Sequence, residues 1–215
     1  MKSANITAAA MQLYAVTDSR WLKGSTLAEA VEKALAGGVT CVQLREKQLP
    51  FDEFLRTAKE IKTLCQSYQV PFIVDDNLDI ALACDADGLH IGQNDMPAAK
   101  ARQLLGPDKI LGVSAQTIKQ AVAACQDGAD YLGVGAIFPT GTKTDAVEVP
   151  LDTLKAITAA VDIPVVAIGG IGADNIAELS GTGIAGAAVV SAIFARTDIK
   201  KAAAELRQQC NQLFN

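Results

Sequence analysis

A short β-rich run followed by a helix-like stretch recurs eight times along the 215 residues, and few architectures accommodate that alternation. The β-rich runs are Gln12–Thr17, Cys41–Arg45, Phe72–Asp75, Gly88–Gly92, Ile110–Ser114, Tyr131–Ile137, Val165–Gly169 and Ala187–Ser191. The stretches rich in Ala, Leu, Lys and Glu are Thr26–Ala36, Phe51–Tyr68, Leu78–Cys84, Ala98–Leu105, Ile118–Gln126, Leu151–Ala160, Asp174–Leu179 and Lys200–Leu213. Gly37, Gly106, Gly128 and Gly181 stand where helices should stop, and Val70-Pro71 and Ile163-Pro164 lead into strands. No linker or low-complexity tract divides the chain, so one domain is expected over 1–215, with residues 1–11 as an N-terminal extension. Eight units averaging about 27 residues predict an α/β fold, a compact (β/α)8 TIM barrel near its lower length limit. An open doubly wound sheet would call for a Gly-x-Gly-x-x-Gly turn after the first strand, where this chain has Thr17-Asp18-Ser19-Arg20.

Composition agrees, because half of the residues are hydrophobic and only 5% aromatic, which suits buried parallel strands covered by helices. A formal net charge of -5 with a pI near 4.9 argues against a nucleic-acid surface, so any anion must be held by a local pocket. No basic run or long apolar stretch points to a membrane. Five cysteines, odd in number and without a Cys-x-x-Cys pair, fit a reducing compartment rather than a disulfide framework or a zinc site. With one lysine and a weak Ala tract in Met1–Met11, no secretory signal is recognised, and a cytoplasmic protein is expected.

Barrel enzymes place their chemistry on the loops after the strands, and polar residues collect there. The second strand runs into Gln43-Leu44-Arg45-Glu46-Lys47, where alternation would turn Gln43, Arg45 and Lys47 to one surface and Leu44 and Glu46 to the other. A guanidinium fork and an ammonium together suit an anionic ligand, although Arg45-Glu46-Lys47 is also what a solvated charge cluster looks like. Asp75-Asp76-Asn77 ends the third strand, and Asp95 follows the fourth. Asp76 and Asp95 either hold Mg2+ with water and phosphate oxygens or cap the next helices. After the sixth strand, Thr140-Gly141-Thr142-Lys143 combines hydroxyls, a flexible backbone and a cation, which can wrap a phosphate or form a plain turn. Gly169-Gly170-Ile171-Gly172, with Val190 and Ser191, occupies the place where barrels commonly bind phosphate. His90, the only histidine, reads as an orienting residue rather than a general base, and Trp21 as cover for a ring or the barrel rim.

Taken together, Gln43-Leu-Arg-Glu-Lys47, Gly88-Leu-His-Ile-Gly-Gln93 with Asp95, Gly112-Val-Ser-Ala115, Pro139-Thr-Gly-Thr-Lys143, Ile168-Gly-Gly-Ile171 and Val190-Ser191 resemble the thiamine-phosphate synthase family, in order from about Leu13 to Phe194. The resemblance implies a transferase that joins 4-amino-2-methyl-5-hydroxymethylpyrimidine diphosphate to a thiazole phosphate, releasing diphosphate. It implies that Gln43, Arg45, Lys47, Ser114 and Lys143 line the diphosphate side, with Leu44, Glu46 and Asp75 among the contacts. Asp76 and Asp95 would hold Mg2+, and Thr140, Gly141, Thr142, Gly170, Val190 and Ser191 the thiazole phosphate. Arg45, Lys47, Ser114 and Lys143 are the expected catalytic groups. Where this family often has Asn, the chain has Asp75, an extra carboxylate beside a diphosphate. Competing readings are a thiazole tautomerase of the same barrel type, another phosphate-binding barrel enzyme, and a barrel that binds ligand without catalysis.

Overall fold

In the computed structural model, which describes residues 6–22, 24–47, 49–141 and 147–214, the eight runs form eight parallel strands. They are β1 Leu13–Val16, β2 Cys41–Leu44, β3 Phe72–Asp75, β4 Gly88–Ile91, β5 Ile110–Ala115, β6 Tyr131–Val134, β7 Val165–Ile168 and β8 Gly186–Val189. Each pairs with its sequence neighbour, and β1 pairs with β8, so the sheet closes and has no free edge. Around it lie α1 Leu27–Ala36, α2 Phe51–Ser67, α3 Leu78–Ala83, α4 Ala98–Leu105, α5 Ile118–Gln126, α6 Leu151–Ala160, α7 Ser191–Phe194 and α8 Ile199–Leu213. The expected (β/α)8 barrel is the observed one.

Local chemistry starts the helices. Thr26 and Glu29 form a reciprocal capping box on α1, and the side chains of Asn77, Thr117 and Asp198 accept from the first turns of α3, α5 and α8. Pro50, Pro97 and Pro150 precede α2, α4 and α6.

Three expected elements differ by more than one residue at an end. The sixth strand ends at Val134 rather than Ile137, because Ala136 leaves the barrel to pair with Val147 and Val149. The eighth ends at Val189, and Ser191, expected on the strand, opens α7, whose Ile193 and Phe194 amides donate to the Val190 carbonyl. The helix expected over Asp174–Leu179 is a 3-10 turn, Ile176–Leu179. Within the expected N-terminal extension, Ala8–Met11 forms another 3-10 turn, and Ile6 and Met11 are buried.

Period-two alternation divides the core in two. Leu44, Val74, Leu89, Leu132 and Ala167 face the helices. Tyr14, Val16, Cys41, Ile73, Tyr131 and Val166 belong to the cluster that fills the barrel, against which Met11 and Ile6 also pack. The filling is tight enough to demand glycine. A Cβ on Gly112 would lie 2.1 Å from the Tyr131 ring, and one on Gly133 3.1 Å from the His90 ring.

Arg102 of α4 ties the lower ends of β5 and β6 together. Its guanidinium donates to the carbonyls of Gly106, Lys109 and Gly128 and to Asp130, whose carboxylate also accepts from the Leu111 amide. Arg102→Ala should therefore destabilise the protein by about 3 kcal/mol, roughly one for each carbonyl left without its donor. Urea unfolding checks this, with a lower midpoint and an unchanged slope expected.

Candidate active site

At the carboxyl end of the barrel, β2, β3 and β4 deliver one charged group and β5 to β8 a second, mostly uncharged one. Gln43 points into the barrel and is buried, while Arg45 and Lys47 follow the end of the strand and are a quarter and a half exposed. The Arg45 amide donates to Thr17 Oγ1 (3.0 Å), fixing the chain as it leaves the sheet. Asp75 Oδ2 lies 3.7 Å from both Arg45 Nε and Lys47 Nζ, and Lys47 Nζ lies 2.5 Å from Asp76 Oδ2.

Leu44 and Glu46, expected among the ligand contacts, are turned elsewhere. The Leu44 side chain is wholly buried in the layer under the helices. Glu46 accepts from Ser19 Oγ (2.6 Å), and burial, opposed by that bond, raises its carboxyl above the usual range. It braces the loop after β1 against the loop after β2. In the same loop, Trp21 packs against the helix-side core, with its indole nitrogen buried.

The capping alternative for the acids is settled by which atoms accept. Asn77, not Asp76, caps α3, accepting from the Ile80 amide at 3.0 Å. Asp76 takes a positive φ of 53°, an uncommon conformation for this residue type, and aims its carboxylate at Lys47. Asp95 does not cap α4. It accepts from the Gly92 amide (2.7 Å) and closes the turn after β4. Burial first, and then the charges of Asp76 and Asp95, push the Asp75 carboxyl up to about 6 against the pull of Lys47 and Arg45. Burial works against the Lys47 ammonium too, but its bond to Asp76 and the charges of Asp75 and Asp76 prevail and hold it above its ordinary value.

Asp75 feels the charge of both Asp76 and Asp95, and the three carboxylates offer only oxygens, the donor class that a hard divalent ion takes. Among the described residues no group of three or more acidic, His or Cys side chains is placed to hold a metal ion by itself. A ligand's phosphate oxygens and water would have to complete the shell, as Mg2+ prefers.

Ser114 is the last residue but one of β5, with its Oγ 2.9 Å from His90 Nε2, and Tyr131 Oη lies 2.9 Å from His90 Nδ1. Burial lowers the His90 imidazole to about 4, so the ring is neutral near pH 7. Tyr14, Tyr131 and His90 were not among the expected ligand contacts. Only their inward parity and the glycines facing them hinted that large polar rings meet there.

Across the mouth, Gly169 and Gly170 take φ of 100° and 65°, and a Cβ on Gly170 would come 2.5 Å from the Pro139 carbonyl. The loops after β6 and β7 are thus in contact. Asn175 shapes the second of them, accepting from the Gly172 amide and donating to the Gly170 carbonyl, each at 2.9 Å. Val190 and Ser191, at the start of α7, complete this side, and Thr140 and Gly141 lie on the β6 loop. Thr142 and Lys143 lie outside the described residues.

Similarity to known proteins extends over most of the chain. A family profile described as thiamine monophosphate synthase matches residues 13–193. The thiamine-phosphate synthase of Clostridium tetani is 54% identical over 194 residues, covering 90% of this chain and 93% of that protein. That of Ruminiclostridium cellulolyticum is also 54% identical over 194 residues, 90% and 92% of the two chains. Among solved structures, the thiamine phosphate pyrophosphorylase of Pyrococcus furiosus superposes with a TM-score of 0.90 at 40% identity, covering 97% of this chain and 99% of that one.

The raised Asp75 carboxyl has a sign that can be checked. The folded chain binds this proton more tightly than the unfolded chain, so stability is fully present below about pH 3.8 and declines as pH rises toward 6. Asp75→Asn removes the penalty. In metal-free buffer it should raise unfolding free energy at pH 7 by at most about 3 kcal/mol and leave it little changed at pH 3.5, as urea titrations at the two values would show.

Proposed function

The chain belongs to the thiamine monophosphate synthase family, and from that premise we propose that it condenses 4-amino-2-methyl-5-hydroxymethylpyrimidine diphosphate with 4-methyl-5-(2-hydroxyethyl)thiazole phosphate. Thiamine phosphate and diphosphate are the products. In coarser terms it is an enzyme of thiamine biosynthesis, a transferase of the thiamine-phosphate synthase type. One observation supports the finer reading above the rest. Arg45, Lys47 and the carboxylates of Asp75, Asp76 and Asp95 gather at one side of the mouth, opposite the glycine loop of β7 and the start of α7. This separation supports a reading in which two anions of different charge bind apart.

The bond that breaks joins the pyrimidine's methylene carbon to the diphosphate oxygen, and its electron pair leaves with diphosphate. The aminopyrimidine stabilises the cation left behind, and the lone pair of the thiazole nitrogen forms the new C–N bond. Arg45, Lys47 and Lys143 are assigned to the leaving group, where fixed positive charge is worth more to the departing diphosphate than to the bound substrate. Ser114 donates to the same group. Mg2+, held by Asp76 and Asp95, would supply further neutralisation of that charge. Gly170, Val190 and Ser191 bind the thiazole phosphate with Thr140 and Thr142, with Gly141 as the pivot of their loop, and Gln43 and Asp75 border the pyrimidine. Leu44 and Glu46 are assigned to the scaffold behind them. Holding both substrates in one mouth removes the entropic cost of their encounter from the chemical step.

The deciding experiment is diphosphate release by the purified protein with both substrates and Mg2+, each omitted in turn. Release that needs all three, matched by thiamine phosphate, is expected. Binding of thiazole phosphate without release would instead favour a tautomerase or a barrel that only binds. Asp95→Ala should lower turnover about 10- to 100-fold, the scale of one lost interaction with a charged group, and cost only about 1 kcal/mol of stability for its bond to Gly92. An unchanged rate at saturating Mg2+ would remove Asp95 from the metal site.

A further inference from the structure

Beneath the mouth, five polar side chains from five strands or their ends form one hydrogen-bonded chain across the barrel. Gln43 Nε2 donates to Tyr14 Oη at 2.9 Å, and the Tyr14 and Tyr131 hydroxyls lie 2.7 Å apart. Tyr131 Oη is 2.9 Å from His90 Nδ1, and His90 Nε2 is 2.9 Å from Ser114 Oγ. Gln43, Tyr14, Tyr131 and His90 are all buried, whereas Ser114 is partly exposed at the mouth. Burial makes direction matter, because a hydroxyl or imidazole without its partner here would cost free energy that water could not return.

The chain can run in two directions. A neutral imidazole has one N–H, so His90 either accepts from Tyr131 and donates to Ser114 or does the reverse. In the first direction, Tyr14 accepts from Gln43 and donates to Tyr131, Tyr131 donates to Nδ1, and Nε2–H donates to Ser114. Every group then has a partner. In the reverse direction, Tyr14 Oη accepts from both Gln43 and Tyr131, and its own proton is left with the Cys41 sulfur, a weak acceptor. With the Gln43 amide nitrogen on Tyr14, the first direction is the one that satisfies the buried groups.

We propose that Tyr14, Tyr131 and His90 are positioning residues that give this chain a single direction, so that Ser114 accepts from His90 and turns its own hydroxyl proton into the mouth as a donor to a diphosphate oxygen. The inference rests on the proposed function for the identity of that acceptor, though not for the direction of the chain. It assigns the phenols a role that packing alone would not require. Phenylalanine would fill the same volume, but it would leave His90 Nδ1 without the donor that holds its tautomer.

The test uses the wild-type protein first. Nitrogen NMR of its single imidazole should show the Nε2–H tautomer at pH 7, and the Nδ1–H tautomer would overturn the proposal. In Tyr131→Phe the tautomers should become mixed, and kcat/KM for the pyrimidine diphosphate should fall about 10- to 100-fold, the scale of one hydrogen bond to a charged group. The KM for thiazole phosphate should stay the same. Adding Ser114→Ala to Tyr131→Phe should cost little more, because both remove the same donor. Losses that simply multiply would show that the phenol acts independently of Ser114, against the proposal. Should Tyr131→Phe fail to fold, Tyr14→Phe breaks an earlier link and carries the same two readouts. If the wild-type chain released no diphosphate, the failure would belong to the proposed function, and the tautomer alone would decide the direction of the chain.

Discussion

A closed eight-stranded barrel must fill its own interior, and in this chain two phenols do much of the filling. The rings of Tyr14 and Tyr131 lie 5.9 Å apart at a tilt of 56°, in space left open by Gly112, whose Cβ would overlap the Tyr131 ring. Once those rings are inside, their hydroxyls need partners, since an unpaired buried hydroxyl would erode what the burial contributes. Gln43 and His90 answer that need, and His90 brings in Ser114. Packing and active-site geometry are thus coupled. The polar groups under the mouth are held by the strands and the core, which keeps their placement independent of loop motion.

Electrostatics then divides the mouth. The chain carries a formal charge of -5, so its overall field does not draw anions in. Attraction has to be local, and at the ends of β2 to β4 Arg45 and Lys47 stand against Asp75, Asp76 and Asp95, so that in the proposed function a bound divalent ion would tip the balance toward positive charge. The Asp75 carboxyl shows the strain of this crowding, since burial and its neighbours raise it to about 6. On the opposite side, charge gives way to backbone. The glycine pair at 169–170 takes conformations that side chains resist, and Asn175 fixes the following turn from within. A more highly charged leaving group suits the first side, and a monoester phosphate the second.

The strand and helix rhythm was legible because each buried strand is a short aliphatic run stopped by glycine, proline or a polar cluster, and the closed barrel followed from counting those runs. Strand ends were less so. Gly135-Ala136-Ile137 looks like more strand, but Ala136 in its middle bonds to Val147 and Val149, which no local pattern reveals. Ser191 follows four apolar residues and still begins a helix, because the chain turns at Val190. For the site, alternation gave the facing of Gln43, Arg45 and Lys47 and the opposite facing of Leu44. It could not say that Glu46 would be taken by Ser19, or that Asn77 rather than Asp76 would cap α3, since several oxygens within three residues compete for one amide. The interior chain was the least legible part. Parity tells which side chains point inward, but the partners Tyr14 and Tyr131 are 117 residues apart and meet only once the barrel closes.

The same interior explains how a transferase can work with its lone histidine buried and neutral. An imidazole near 4 is a poor base at neutral pH, and both of its nitrogens are already engaged by hydroxyls. The proposed condensation would need no base to form its C–N bond, because the thiazole nitrogen would attack with a lone pair it already has. What limits such a step is the charge that gathers on the leaving diphosphate. Fixed dipoles and cations meet that demand without reorganising at the moment of reaction. A hydrogen-bonded core that points one hydroxyl outward supplies such a dipole, and it does so without any group that must first gain or lose a proton.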